Sequence, residues 1–402
     1  MKNKAIFTGF LLLLACTMAS GQQFTNYTTA NGLPSDNVNG VAVDAGNVKW
    51  FATQEGVGRF DDNAWTTFTT ANGLIDNYIN CIAVDKNNHV WAGTDYGVSR
   101  YDGTQWTSFT TSAGLADNMV NYIAGDLNGG VWIGTGDGLS HYQGGTFTNY
   151  SASGGLPSNL ISYIAVDEAN NAWIGTFLGG LAKFDGTTFT TFTIADSLPD
   201  NNIISIGMGA DNTKWIGTYN GVAVFDYQDQ WIKTLRVANG LLSNFIQDIA
   251  MDSKKTMWFG QYDLYTQDGG ITRNNQAVWQ SYTMASGLIA NHVKRIAVDH
   301  SDNVWIATGM GVSKLYDIFS AAPETHRASF GLWPNPAATA VRIDGLSGPG
   351  TVTLMTPDGR VVLNQGLQSD ALVLPLTGIA PGLYLVRWTS ATGSGCEKLV
   401  VE

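Results

Sequence analysis

The chain has 402 residues, of which 47 are Gly and only 13% are charged, alongside 13 Trp, 15 Tyr and 17 Phe. Such a mix means many turns and much aromatic packing, and it excludes a disordered chain, a coiled coil and a helical bundle. The net charge of −12 argues against a nucleic-acid partner, because that affinity rests on Lys and Arg neutralising phosphates.

Residues 1–21 read as an export signal: Lys2 and Lys4 form a basic start, Ala5 to Ala15 an apolar stretch, and Met18-Ala19-Ser20-Gly21 a small-residue exit. The apolar run is too short to span a bilayer, and no later segment reaches 18 apolar residues, so no transmembrane segment is expected. Cleavage near Ala19 to Gly21 is the preferred reading; Leu13-Leu14-Ala15-Cys16 read as a lipobox, with Cys16 lipidated, is the alternative. Of the other two cysteines, Cys81 lies in an apolar strand and is expected as a small core residue. Cys396 falls in a different predicted domain, so no disulfide between the two is expected.

Residues 22–318 repeat seven times. Trp50, Trp91, Trp132, Trp173, Trp215, Trp258 and Trp305 each head a Trp-x-(Gly/Ala)-Thr pattern or a near variant, at spacings of 41, 41, 41, 42, 43 and 47. An Asp near the end of an apolar strand precedes each Trp: Asp44, Asp85, Asp126, Asp167, Asp211, Asp252 and Asp299. A Gly-Leu loop precedes each of those strands, ending at Leu33, Leu74, Leu115, Leu156, Leu198 (after Ser197 instead of Gly), Leu241 and Leu288. In the second unit, alternation of apolar and polar residues marks four strands at Ile79–Val84, Val90–Gly93, Val98–Tyr101 and Trp106–Thr110. Four strands per unit at a period of 40–45 predict an all-β, seven-bladed β-propeller. The aromatic outer strand occurs at Phe24/Tyr27, before the first inner strand, and none follows Trp305. The N-terminal strand is therefore expected to complete the last blade beside Val312–Tyr316 and remove its open edge.

These repeats resemble the two-component regulator propeller family in Gly-Leu-x-x-Asn, the strand ending in Asp, Trp-x-Gly-Thr-x-x-Gly-(Val/Leu) and the closing Trp-x-x-Phe. The resemblance implies a propeller of the kind found in periplasmic sensors of membrane histidine kinases, some of which respond to glycan fragments. This chain has no kinase domain, response regulator or membrane helix, so fold and ligand binding are implied and the signalling role is not.

Recurrence separates frame from site. The seven Asp residues begin tight turns and are expected to accept hydrogen bonds from turn amides. The repeated Trp residues are expected between blades with their indole N–H bonded locally. Asn77, Asn118, Asn159, Asn201, Asn244 and Asn291, with Asp36, either cap the loops that enter the inner strands or form a polar ring at the channel mouth. The loop after the Trp strand differs from unit to unit, and it opens on the same side as the loop after the outer strand. There Tyr96, Phe177, Tyr219, Tyr262 and Tyr265, with Asp263 among other carboxylates, suit a sugar ring, which has apolar C–H faces and a polar rim. Between Gln261 and Gly270 the sixth unit carries six extra residues, a place where specificity can lie.

Signals for catalysis are weak. His89, His141, His292, His300 and His326 form no His-x-x-x-His or His-Glu-x-x-His pair, and no Gly-x-Ser-x-Gly elbow or phosphate loop occurs. No catalytic group, metal or cofactor is assigned.

Residues 319–328 read as a linker, and 329–402 as a small Ig-like β-sandwich with strands near 339–343, 351–355, 360–364, 371–376, 382–388 and 396–401. A Pro357-Asp358-Gly359 turn joins two of them. Trp333-Pro334-Asn335-Pro336-Ala337, the Asp358-Gly359-Arg360 turn, Gly382-Leu383-Tyr384-Leu385-Val386 and Lys398-Leu399-Val400-Val401 resemble the C-terminal sorting domain of type IX secretion cargo. That resemblance implies passage through the periplasm, engagement of the type IX machinery by residues 329–402, and delivery to the outer surface or the medium. The sequence thus describes an exported, non-catalytic propeller that binds an extracellular glycan or protein. Two alternatives stand beside it: a propeller lyase or hydrolase acting on extracellular polymer, and a detached sensor presenting a ligand to a membrane partner.

Overall fold

The computed structural model describes residues 22–275, 278–317, 331–345, 350–356, 361–367, 371–390 and 394–402. The proposed signal 1–21 with its lipobox, the linker 319–328, His326 and the Pro357-Asp358-Gly359-Arg360 turn lie outside them. The described chain is all-β, its only helical segments being single 3-10 turns, and it divides into one unit at residues 23–316 and a second that includes 317–402.

The first unit holds seven antiparallel four-stranded sheets, and the innermost strand of each touches those of its two neighbours in a closed cycle. Sheet one runs from Val38 to Phe68, sheet two from Cys81 to Phe109, sheet three from Val120 to Tyr150 and sheet four from Ile161 to Phe192. Sheet five spans Ile203–Leu235, sheet six Ile246–Tyr282 and sheet seven Val293–Asp317. A pleated sheet has two faces and cannot bury both alone; here each face meets another sheet. Seven separate apolar clusters result, one per junction, such as Trp50, Ala52 and Val57 of sheet one against Val90, Ala92 and Trp106 of sheet two.

The fourth strand of sheet seven is Gln22–Tyr27, which pairs with Gly311–Asp317. The Ser313 hydroxyl donates to Asn26 Oδ1 at 2.6 Å, and Asn26 Nδ2 donates to the Gly287 carbonyl at 3.1 Å. Tyr27 stacks on Trp305 and meets Phe60 and Trp65 of sheet one. The first residues of the folded unit therefore cover the seam between its last and first sheets, as the count of aromatic strands predicts.

In five repeats one bidentate Asp organises the turn and the Trp together. Asp167 shows how: its Oδ1 accepts the backbone N–H of Ala169 and Asn171, and its Oδ2 accepts Trp173 Nε1 at 3.0 Å. Burial works against ionisation of Asp167, but the hydrogen bonds from Trp173 and Asn171 outweigh it and hold the carboxyl below its ordinary value. Two repeats differ. In the third, His141 Nε2 takes Asp126 Oδ2 at 2.8 Å while its ring stacks on Trp132, whose indole N–H is left without a partner. In the fifth, the expected Asp211 is not the equivalent residue. Its backbone is left-handed at φ 57°, and Gly209, six residues before Trp215, holds the Asp position. Trp215 bonds Thr213 Oγ1 instead.

The Asn series caps loops. Asp36 and the six Asn residues each accept, seven residues back, the backbone N–H that opens a 3-10 turn, from Thr29 to Asp36 Oδ1 through Met284 to Asn291 Oδ1. Each such turn ends on a left-handed residue followed by a buried Leu. That residue is Gly in six turns and Ser197, at φ 75°, in the other. A side chain in this region of backbone space costs energy that Gly avoids. Ser197→Gly is therefore expected to stabilise the unit by roughly 0.5–1 kcal/mol, read as a small rise in the urea midpoint at constant m-value.

The first strand of the second unit begins at Cys81 and not at Ile79, because the Ile79 N–H donates across to Thr53 of sheet one. Cys81 is a buried free thiol, pushed up to about 12 by burial, and the side chain of Cys396 is not among those described.

The second unit has a three-stranded sheet (Gly331–Trp333, Ala340–Asp344, Ala371–Pro375) and a four-stranded one (Val361–Leu367, Gly350–Met355, Gly382–Ser390, Ser394–Val401) around one core that includes Val341, Leu354, Leu374, Val386 and Trp388. Gly331–Trp333 is a strand the alternation signal missed, being only three residues long. Asn335 bonds both ways to the last strand, donating to the Lys398 carbonyl at 2.7 Å and accepting the Val400 N–H at 2.9 Å. The opening Trp-Pro-Asn-Pro-Ala motif and the terminal Lys-Leu-Val-Val motif are thus one packed structure.

Candidate functional site

The loops after the Trp strands and those entering the inner strands share one face. Gln54 N–H donates to Asn37 O, Gly56 N–H to Asn77 O, and Gly138 N–H to Asn159 O, each joining a loop of the first kind to one of the second. The sequence-predicted site residues stand there, but not as one cluster. Phe177 meets Tyr219 edge-on at 5.8 Å, and Tyr219 stacks on Phe245 at 4.7 Å. Tyr262 donates its N–H to the Phe245 carbonyl and stacks on His292 at 4.0 Å. An arc of two aromatic groups, Phe177–Tyr219–Phe245 and Tyr262–His292, joined by that backbone hydrogen bond, therefore crosses sheets four to seven. Burial, then Asp200 and Tyr265, push the Tyr219 phenol up.

The six-residue expansion lengthens its two strands to Met257–Tyr262 and Gly269–Asn274. Asp263 turns the loop between them, its Oδ1 accepting the N–H of Tyr265 at 2.8 Å. Asp263 thus shapes the loop, and Tyr265 stands at its tip, 90% exposed. Tyr96, 65% exposed on sheet two, makes no aromatic contact with the arc among the described residues.

The arc ends at a pocket of about 340 Å³ at the axis, lined by Asn39, Tyr78, Asn80, Gln247, His292 and Lys294, with Arg295. Two sequence positions build it, found by counting back from each repeated Trp. Eleven residues before stand Asn39, Asn80, Asn121, Ser162, Ile204, Gln247 and Lys294; ten before stand Gly40, Cys81, Tyr122, Tyr163, Ser205, Asp248 and Arg295. Several of the first set latch each sheet to the next: Asn39 Nδ2 donates to Ile79 O, Asn80 Nδ2 to Val120 O, Asn121 Nδ2 to Ile161 O, and Ser162 Oγ to Ile203 O.

The second set meets across the axis. Tyr163 of sheet four donates to Asp248 Oδ1 of sheet six at 2.7 Å, and Asp248 Oδ2 accepts the Ile296 N–H. Arg295 of sheet seven lies over the stacked rings of Tyr122 and Tyr163. Burial raises the Asp248 carboxyl despite Arg295 and its hydrogen bonds. For Arg295, burial is outweighed by Asp248 and the two phenols, so the guanidinium stays charged. The axis is plugged by an ionic and aromatic cluster drawn from four sheets, and the pocket is the cup above it. Sequence reasoning missed this cluster because it sought variation in loops, whereas these residues vary inside strands.

Two lining groups are cationic or basic. Lys294 is lowered by burial and then by Arg295, and His292 by burial and then by Lys294. No carboxylate lines the pocket, and among the described residues no group of three or more His, Cys, Asp and Glu is arranged to hold a metal ion. A second cleft, of about 560 Å³, lies between sheets five and six, where Gly209 has left Trp215 without its Asp.

Comparison with known proteins agrees with this architecture. The model for the two component regulator propeller matches residues 73–96, and that for the secretion system C-terminal sorting domain matches residues 331–402. No curated protein matches the chain in sequence. Among solved structures, the extracellular domain of the hybrid two component system BT3049 from B. thetaiotaomicron superposes with TM-score 0.65 at 17% identity, over 94% of this chain and 57% of that one. PorZ, a surface component of the type-IX secretion system of Porphyromonas gingivalis, gives 0.62 at 16% identity, over 92% and 60%. Virginiamycin B lyase from Staphylococcus aureus gives 0.59 at 16% identity, over 73% and 98%. The chain thus spans 57–60% of the length of the first two structures, and likeness at such identities speaks for the fold. Among the described residues no helix is long and apolar enough to cross a membrane. The chain carries a two component regulator propeller repeat and ends in the sorting domain of type IX secretion cargo, which addresses it to the cell surface or the exterior.

Proposed function

We propose that the propeller is the cargo, exported through the signal at residues 1–21 and addressed by residues 329–402, and that it binds an extracellular glycan without chemical change. The observation that carries this reading is the aromatic arc from Phe177 through Tyr219, Phe245 and Tyr262 to His292, which ends at a polar cup. Ring faces pack on the C–H faces of sugars, and the amides of Asn39, Asn80 and Gln247 supply hydrogen bonds at the rim. Tyr265 extends the arc outward on the expanded loop. A hydrolase reading would need a pair of carboxylates flanking the bond to be cut, and none lines the cup.

The test is a glycan array with the full chain and with Tyr262, Asp263 and Tyr265 changed together to Ala. Wild type is expected to retain at least one glycan class, and the triple variant to lose at least tenfold in affinity, about 1.4 kcal/mol. Equal binding by both would remove this loop from the site, and no binding by wild type to any glycan would leave a protein ligand as the reading to pursue.

A further inference from the structure

The buried lysines of this propeller show what Lys294 lacks. Lys49 Nζ pairs with Asp62 at 2.6 Å, and Lys214 Nζ pairs with Asp229 at 2.7 Å. Lys294 Nζ is held by neutral amide oxygens alone, Asn37 Oδ1 and Asn39 Oδ1, the latter at 2.8 Å. Its neighbour Arg295, next in sequence and charged, lines the same cup, while His292 is held toward its neutral form by burial and then by Lys294. The carboxylates in reach are engaged elsewhere. Asp248 lies in the plug beneath, bonded to Tyr163 and Ile296, and Asp95 accepts Asn80 Nδ2 at 2.7 Å. A half-buried ammonium beside a like charge is costly unless a counter-charge arrives. In a chain of net charge −12, a concave site with this balance selects against the rest of the protein's own surface and for an anion.

We propose that the cup at the axis receives the carboxylate of an acidic sugar, with Lys294 as its cation and Gln247 at its rim. This inference rests on the glycan-binding reading above and names the substrate class for it. Two of the three ammonium donors of Lys294 are held by Asn37 and Asn39, which fixes the direction of the third. A sugar seated on the Tyr262–His292 stack places its ring beside the cup and a ring carboxylate within it. The interaction is a charge-assisted hydrogen bond to a half-buried cation, the kind that discriminates an acid from its neutral ester.

The experiment uses the full chain and pairs of oligosaccharides: oligogalacturonates and oligoglucuronates, each beside its methyl ester, with neutral mannan and glucan oligomers as a third arm. Isothermal titration of wild type is expected to show at least tenfold tighter binding of one acid series than of its ester. Lys294→Gln is expected to erase that preference while still binding the ester, and Lys294→Arg to keep most of it. Thermal melts of both variants establish that they are folded. Neutral oligomers or esters bound as well as the acids, or an acid preference that survives in Lys294→Gln, would overturn the inference while leaving glycan binding intact. If no sugar in any arm binds, the inference and the underlying reading fall together.

Discussion

A chain lacking residues 22–30 is expected to lose on the order of 5 kcal/mol of propeller stability, a large part of the 5–15 kcal/mol typical of a folded domain. Removing the strand uncovers the edge of Gly311–Asp317, whose backbone groups lose their partners, and strips Tyr27 from the face of Trp305. Burial of a large side chain is worth about 1.5–3 kcal/mol, and Phe24 and Tyr27 both leave. Each orphaned backbone bond adds about 1 kcal/mol. An exposed edge strand also templates association between molecules. Urea melts followed by Trp fluorescence, with light scattering, should show a lowered midpoint and aggregation. A synthetic peptide of residues 22–30 added in excess should restore the midpoint, because strand addition to an open edge needs only backbone pairing and the Phe24 and Tyr27 pockets. A truncated chain that melts within about 1 kcal/mol of the intact one would mean that the seam is held by the inner strands alone.

This closure was legible before any coordinates, because it follows from counting: seven aromatic outer strands, the first of them out of place. The Asp turns were legible for the same reason, apart from one error of register. Asp211 stands near Trp215 and passes for the fifth Asp, although the constant interval of six residues points to Gly209. Distance from the Trp was the stronger signal, and the same count, carried to ten and eleven residues, would have isolated Asp248, Arg295, Lys294 and the Tyr122–Tyr163 pair. Those positions look unremarkable in any single repeat. Only in register do they form two adjacent variable columns, ten and eleven residues before the Trp, flanked on both sides by columns that hold only Val or Ile. What no single repeat can carry is which sheets face each other across the axis. Sheets four and six, 85 residues apart at Tyr163 and Asp248, meet because the ring closes, and that contact exists only in three dimensions.

The plug itself makes an asymmetric prediction. Asp248→Ala is expected to destabilise the propeller by about 1–3 kcal/mol, because the buried Tyr163 hydroxyl and Ile296 N–H lose their acceptor and Arg295 loses a nearby opposite charge. Arg295→Met should cost less at low pH. Its neighbour Asp248 already has a folded-state pKa above its ordinary value, with burial the leading cause, and without Arg295 that pKa rises further. The sign follows from proton binding. A carboxyl whose folded pKa lies above its unfolded value binds the proton more tightly when folded, so the folded state is favoured most below the unfolded value, near 4. Stability then falls as pH rises from there through the folded pKa, and levels off above it. Urea midpoints of Arg295→Met measured from pH 4 to 8 should therefore decline relative to wild type, from where Asp248 ionises in the folded wild type to where it ionises in the folded variant. The Asp248→Ala deficit should shrink as pH rises from near 4 through the folded pKa of Asp248, since the substitution removes the group of the pair that titrates there. The double variant should be less damaged than the sum of the two, by 1 kcal/mol or more, as coupling within one network requires. Additive losses, or a pH-independent Arg295→Met, would show that the two side chains do not share a field and that the axis is held by the tyrosine stack alone.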